Sequence, residues 1–271
     1  MSDASFDPSQ FWRERLGGDV DLNSVGHRSL GTAYNAHIYQ RRQEVLTDTL
    51  QELSIQPGVS RVLEAGCGSG YWVDFWHRRG VAQLVGLDLS EQRIRDLSRR
   101  FPSYDFITAD LTASKTPLPD ERFDIITAFD VFYHIVDDQK LERALNHLAS
   151  LLSADGTLWV FDQLLSHDYT LQPHVKFRAR SRFTAMLHSA DLRISAERPL
   201  FGLLAPPVLG IRPVDLSIHA AYQLTGAVMK RWKAIGTAAG RSASALDRFL
   251  RHIRVNIPNQ QLFVIKKESR S

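Results

Sequence analysis

The sequence predicts an α/β fold with a seven-stranded, mostly parallel sheet, and three observations carry that prediction. Short apolar runs alternate with amphipathic segments, an order that demands crossover connections and therefore parallel strands. A glycine-rich turn, with Gly66, Gly68 and Gly70 in RVLEAGCGSGYW, joins the first apolar run to a helix. Carboxylates recur where the runs stop, at Asp88, Asp110, Asp130 and Asp162.

The elements follow in order from local pattern. Ile38, Val45, Leu46, Leu50 and Leu53 form one helical stripe, ended by Pro57 and Gly58 before a strand at 61–65. A short helix carries Trp72, Val73, Phe75 and Trp76 and stops at Gly80. The strand AQLVGLD ends at Asp88, and Ser90 is placed to cap a helix bearing Ile94 and Leu97. A third strand, YDFITAD, ends at Asp110; a loop with Pro117 and Pro119 leads to the fourth, FDIITAFD. Leu141, Ala144, Leu145, Leu148, Leu151 and Leu152 mark a strong helix, and Asp155-Gly156 is expected to turn the chain into the strand TLWVFD. A helix near SRFTAMLHSAD, a strand near 192–200 and the terminal strand QQLFVIKK complete the pass. This order divides the chain into an N-terminal helical cap (1–58), a core (59–200), a helical insertion between strands six and seven (201–257) and a closing strand (258–271).

Bulk properties narrow the class. The 271 residues suffice for one large domain or a domain with an added subdomain. An apolar fraction of 44% and a charged fraction of 23% are those of an ordinary globular chain. A single cysteine, Cys67, excludes a disulfide framework and a zinc site built on thiolates. The opening MSDASFDPSQFW has neither the basic nor the apolar region of a secretory signal, and no apolar run approaches the roughly 18 residues of a membrane span. A cytoplasmic protein is expected. The net charge of +3 is too small to argue for nucleic acid. Its distribution is uneven: Arg212, Lys230, Arg231, Lys233, Arg241, Arg248, Arg251 and Arg254 face only Asp215 and Asp247 between residues 205 and 255.

In a parallel sheet, ligands bind beyond the carboxyl ends of the strands, so the residues there matter most. Asp88 lies 18 residues after Gly70, near the roughly 20 expected of an acid that accepts ribose hydroxyls and repels a 2′-phosphate. Asp110 is placed to receive the exocyclic amine of an adenine. The turn by itself leaves nicotinamide, flavin and other adenosine-bearing ligands open.

Taken together, VLEAGCGSG, VGLDLS, FITADL, FDIITAFDVFYHI and LSADGTLWVFD resemble the ordered motifs of class I S-adenosylmethionine-dependent methyltransferases, over residues 60–165. The resemblance implies a Rossmann-like fold with helices on both faces and an antiparallel last strand beside the sixth. It implies that Glu64, Gly66, Cys67, Gly68 and Gly70 serve the methionine moiety, Asp88 and Leu89 the ribose, and Asp110 and Leu111 the adenine, with Phe129 completing the cofactor contacts. S-adenosylmethionine would be the cofactor and S-adenosylhomocysteine the product. The turn reads G-x-G-x-G rather than the G-x-G-x-x-G of dehydrogenases, which favours this reading.

The expected reaction is methylation of a small-molecule acceptor, most simply at a hydroxyl oxygen. His134 is the candidate base and Asp130 its companion, because a hydroxyl acceptor must lose a proton. N- or C-methylation and RNA modification are the alternatives. Against nucleic-acid amines, the stretch after strand four reads FDVF and not [Asn/Asp]-Pro-Pro-[Tyr/Phe]. A divalent metal at Asp130 and Asp162-Gln163 is a further option, weakened by glutamine where such enzymes carry asparagine. The insertion, with Ala221, Thr225, Val228, Trp232 and Ile235 on one stripe and Leu246, Phe249, Leu250 and Ile253 on another, is expected to act as a basic lid for an anionic or amphiphilic acceptor. Trp12, Tyr34, Tyr39, Arg41 and Arg42 are expected to fold over the cofactor from the N-terminal side.

Overall fold

The structure is a computed structural model and describes residues 26–27, 29–115, 117, 120, 122–253, 257 and 259–268; Trp12, Pro119 and Arg254 lie outside these residues. Two compact units emerge among the described residues, one of Ile55–Glu197 with residues 263–268, the other of residues 26–54 with Arg198–Leu262.

The first unit is built on strands β1 (Arg61–Ala65), β2 (Gln83–Asp88), β3 (Asp105–Thr108), β4 (Phe123–Phe129) and β5 (Leu152–Asp162). A hairpin of β6 (Tyr169–Gln172) and β7 (Val175–Phe177) stands apart, and β8 (Leu192–Pro199) and β9 (Gln261–Lys267) complete the main sheet. The main order is β3-β2-β1-β4-β5-β9-β8. All pairings from β3 to β5 are parallel. The Glu268 N–H bonds to the Asp191 carbonyl at one end of the last pair, and the Leu200 N–H to the Gln260 carbonyl at the other, so β9 runs antiparallel to β8. The seven main strands are those the sequence predicts.

Alternation on the strands explains the two packed faces. Leu63, Ala65, Val85, Leu87, Ile126, Ala128, Leu158 and Val160 share a cluster with Leu141, Leu145 and Leu148 of α4 (Asp138–Leu151) and with Phe183 and Leu187 of α5 (Arg180–Ser189). On the opposite face Trp72 and Trp76 of α2 (Tyr71–His77) pack edge-on to Phe129 and Phe161 and against Trp159. Helix α3 (Glu91–Arg100) begins as expected, with the Ser90 hydroxyl accepting from the Arg93 N–H at 3.4 Å.

Two details depart from expectation. Asp155-Gly156 does not precede the fifth strand but lies within it, because the chain leaves α4 directly into pairing at Leu152. Phe123 pairs with Leu152 and Ile125 with Thr157, so the extra residues on β5 are absorbed as an irregularity. Gly156 suits that crowding, since a Cβ there would stand 2.7 Å from the Phe123 carbonyl oxygen. The β6–β7 hairpin is the second departure, as nothing in the periodicity separates it from loop.

The second unit joins α1 (Thr32–Glu52) to α6 (Arg212–Arg231) and α7 (Lys233–His252). Close approach is permitted by glycine: a Cβ on Gly226 would fall 2.0 Å from the Ser29 carbonyl oxygen, and one on Gly240 2.2 Å from the His37 ring. Buried carboxylates tie the connecting loop. Asp247 accepts from the N–H groups of Gly202 and Leu203 at 2.9 and 2.6 Å, and Asp215 from that of Leu209 at 2.7 Å. The Tyr34 hydroxyl donates to the Leu204 carbonyl, Arg41 to that of Leu200, and Arg42 to the Gln260 side chain, all within this unit.

Candidate functional site

The carboxyl end of the parallel sheet gathers the predicted residues. The glycine turn leaves β1 with Gly66, Gly68 and Gly70 at φ of 79°, 43° and 75°, a conformation that only glycine adopts without strain. The turn is fastened to β2, because the N–H groups of Gly66 and Cys67 both donate to the Leu87 carbonyl, at 2.7 and 2.9 Å. Asp88 completes the fastening. Its Oδ2 accepts from the Gly68 N–H and its Oδ1 from the Ser90 N–H, both at 2.8 Å. Burial pushes the Asp88 carboxyl up in pKa, and the N–H groups of Ser90 and Gly68 pull it back. These two bonds use about half the acceptor sites of a carboxylate.

Asp110 sits in the turn after β3. Its Oδ1 takes the Thr112 N–H and hydroxyl, each at 2.8 Å, while its Oδ2 makes no hydrogen bond among the described residues. The same loop is clamped from α4: His147 Nδ1 donates to the Leu111 carbonyl at 2.9 Å, and Arg143 Nε to that of Thr112 at 2.8 Å. Leu111 is buried, Leu89 half-buried. The clamp residues escaped sequence reasoning, since their partners lie 31 and 36 positions away.

Glu64 is placed differently from the other acids. It pairs across the sheet with Gly86 and Thr127, is fully buried, and bonds through Oε2 to the Thr127 hydroxyl and, at 3.3 Å, to the Trp76 indole N–H. Its Oε1 has no hydrogen-bond partner among the described residues. Burial raises its pKa to about 8, against the opposing bonds from Thr127 and Trp76. Cys67 is buried beside it in the turn, and burial likewise raises its thiol well above the ordinary range.

At the ends of β4 and β5, Phe129 and Phe161 stack at 4.0 Å and Trp72 meets both edge-on. Asp130 follows with φ of 60°, a left-handed conformation unusual for a residue with a side chain. Asp162 is buried and accepts from the Gln163 N–H at 2.7 Å; burial raises its pKa to about 7, with the Asp130 charge adding to the rise and Arg178 opposing it. Among the described residues, no group of three or more His, Cys, Asp or Glu side chains is arranged to hold a metal.

His134 ends a single 3-10 turn, Phe132–His134. Its Nδ1 lies 2.8 Å from the His174 carbonyl oxygen, and since a carbonyl only accepts, Nδ1 carries a proton there. His174 belongs to the hairpin, which also places Phe177 5.7 Å from the Tyr133 ring. Arg178, directly after β7 and 2% exposed, donates to the carbonyls of Phe132 at 3.3 Å and Ile135 at 2.5 Å, and to Asp138 at 3.0 Å. Burial alone would raise Asp138, but Lys176 and Arg178 hold its carboxyl below the usual range. The hairpin and Arg178 therefore fix the turn that carries His134, a role visible only in the folded chain.

Comparisons with known proteins fall on the same stretch of the chain. A family model described as a methyltransferase domain matches residues 62–156. A probable S-adenosylmethionine-dependent methyltransferase of Mycobacterium tuberculosis is 29% identical over 139 residues, which are 51% of this chain and 47% of that one. A protein of similar description from Mycolicibacterium smegmatis is 33% identical over 117 residues, 43% of each chain. The chain thus spans about half the length of the curated relatives it matches. The crystal structure of an S-adenosylmethionine-dependent methyltransferase from Clostridium acetobutylicum shares the fold, with a TM-score of 0.54 at 11% identity over 96% of this chain and 98% of that one. No helix among the described residues is long and apolar enough to cross a membrane. The glycine turn and its flanking strand-end acids lie in the stretch, residues 62–156, that matches a methyltransferase domain and is similar to S-adenosylmethionine-dependent methyltransferases.

Proposed function

We propose that this protein transfers a methyl group from S-adenosylmethionine to a hydroxyl oxygen of a small-molecule acceptor. One observation carries the reading: the glycine turn, Asp88 and Asp110 lie at the ends of three adjacent parallel strands, β1, β2 and β3. Their acceptor set fits the cofactor, because Asp88 retains acceptor sites for a ribose diol and Asp110 Oδ2 is available to an amine. When bound, the cofactor supplies an activated methyl group on a sulfonium.

The remaining work falls to this chain's own residues. Gly66, Cys67, Gly68 and Gly70 let the backbone come close to the methionine end, and Leu89, Leu111 and Phe129 provide apolar contact. Glu64 acts from beneath, holding Trp76 and Thr127 and so the strand on which the turn rests. His134 receives the acceptor's proton, with Asp130, which directly follows β4, as its companion. An anionic or amphiphilic acceptor suits the basic helical segment, and a chain with one cysteine suits the cytoplasm.

Calorimetric titration with S-adenosylhomocysteine, followed by transfer assays with labelled methyl donor on hydroxyl-bearing metabolites, tests the proposal. Wild type binds, Asp110→Ala binds at least about tenfold more weakly, and His134→Asn keeps binding while losing about 10²-fold in turnover. A folded wild type that takes up no S-adenosylhomocysteine would overturn the reading. Unchanged turnover in His134→Asn would remove the histidine from its role as base.

A further inference from the structure

The helical unit exposes large apolar side chains to which the methyl transfer proposed above gives no role. We propose that the outward faces of α6 and α7 dock onto an anionic phospholipid membrane. On α6, Val214, Leu216, Leu224 and Val228 are exposed, Leu224 by 74%. On α7 and just beyond it, Leu246, Phe249 and Ile253 follow at three- and four-residue steps, with Phe249 57% exposed. Trp232, 55% exposed, sits between the helices in the sequence Lys230-Arg231-Trp232-Lys233. Large apolar side chains repeated along a water-facing stripe mark an interaction surface rather than a solvated one.

Charge selects the partner. Arg212, Lys230, Arg231, Lys233, Arg241 and Arg248 are all exposed, and none forms an ion pair among the described residues. Between residues 212 and 252 the acids are Asp215 and Asp247 alone. Both are buried, at 0% and 1% exposure, and both are occupied by backbone N–H groups. Among the described residues, α6 and α7 therefore present cations and hydrocarbon to water with no acid of their own to oppose them. A bilayer with anionic headgroups meets both demands at once, taking the basic side chains at its surface and the apolar ones at the acyl boundary. A second copy of the chain would set like charges against each other, and RNA would leave leucine and phenylalanine facing phosphate. The contact is interfacial, since no described helix is long and apolar enough to span.

Cosedimentation of the full chain with vesicles tests this at physiological salt. The chain should bind phosphatidylcholine vesicles that contain phosphatidylglycerol, and bind phosphatidylcholine alone at least about tenfold more weakly. A Lys230→Glu, Arg231→Glu, Lys233→Glu triple variant should lose more than about tenfold in binding. Leu224→Ser with Phe249→Ser should lose about tenfold with every cation kept. Circular dichroism checks that the variants fold. Quenching of tryptophan fluorescence by brominated lipid in the wild type, lost in Trp232→Phe, provides a second readout that keeps every cation and an apolar side chain at position 232. Absence of vesicle binding by the folded wild type, or equal binding to neutral vesicles, would overturn the proposal. So would self-association of the chain that Leu224→Ser with Phe249→Ser abolishes, or RNA binding that displaces the vesicles. The proposal is independent of the cofactor: vesicle binding without S-adenosylhomocysteine binding would leave it standing and sink the methyl-transfer reading instead.

Discussion

In the sheet-built unit Asp88 accepts the N–H groups of Gly68 and Ser90; in the helical unit Asp247 accepts those of Gly202 and Leu203. The local device is the same, a carboxylate stitching a loop to a regular element. The surroundings differ. Around Asp88 the neighbouring strands add Asp110, Asp130 and Asp162, so the sheet end is rich in acceptors. In α6 and α7 the described acids are spent inside, and of the charged side chains there only basic ones reach water. The lesson is that acids needed as loop anchors set the sign of the surface they leave behind. At the sheet end acids remain beyond the anchor, which suits ribose and amine donors; on α6 and α7 none remains, which suits anions.

Three substitutions probe that contrast. The largest effect is expected at Arg178, a buried cation that anchors carbonyls at the acid-rich end. Arg178→Ala should cost about 3–5 kcal/mol in denaturant unfolding, because the Phe132 and Ile135 carbonyls and Asp138 lose a shared donor. Next comes Glu64, an acid of the same sheet that anchors no loop N–H. Its folded pKa of about 8 lies above the ordinary 4.5, so the folded state binds the extra proton, and stability falls as pH rises from about 4.5 to about 8. Glu64→Gln should flatten that slope, removing on the order of 3 kcal/mol of pH dependence between pH 5 and 9. A slope unchanged in the variant would show that Glu64 ionises normally. The smallest effect is expected in the helical unit: Asp247→Ala should cost about 2 kcal/mol and speed hydrogen exchange at Gly202 and Leu203. Exchange in β1 to β5 should stay as it is; faster exchange there would mean that the two anchors are not separate.

Much of the sheet was legible because it rests on local signals. Glycines 66, 68 and 70 announce a turn, Ser90 announces a cap, and the six apolar positions from Leu141 announce a helix with only its last residue, Leu152, passing into the strand. Proximity of the strand-end acids follows from parallel order alone. The remaining features depend on contacts between distant residues. In KFRARSR the pattern cannot say which cation is buried, and only folding shows that Arg178 is the one. Glu64 reads as one more strand-end acid until Thr127, 63 residues away, is seen beside it. The hairpin has a faint signature, Pro173-His174 between two short alternating runs, but four and three residues of strand are too few for periodicity to register.

Cys67 gives the glycine turn its own clock. It is the chain's single cysteine, its N–H is held by the Leu87 carbonyl, and its sulfur stands 3.2 Å from where a Cβ on Gly86 would lie. A thiol so enclosed meets an alkylating reagent only when the turn lifts off β2, so the modification rate counts those openings. A ligand that binds only the closed turn must slow the count in proportion to its occupancy. The breathing of the turn is thereby written into one atom of the native chain, readable without any label being added.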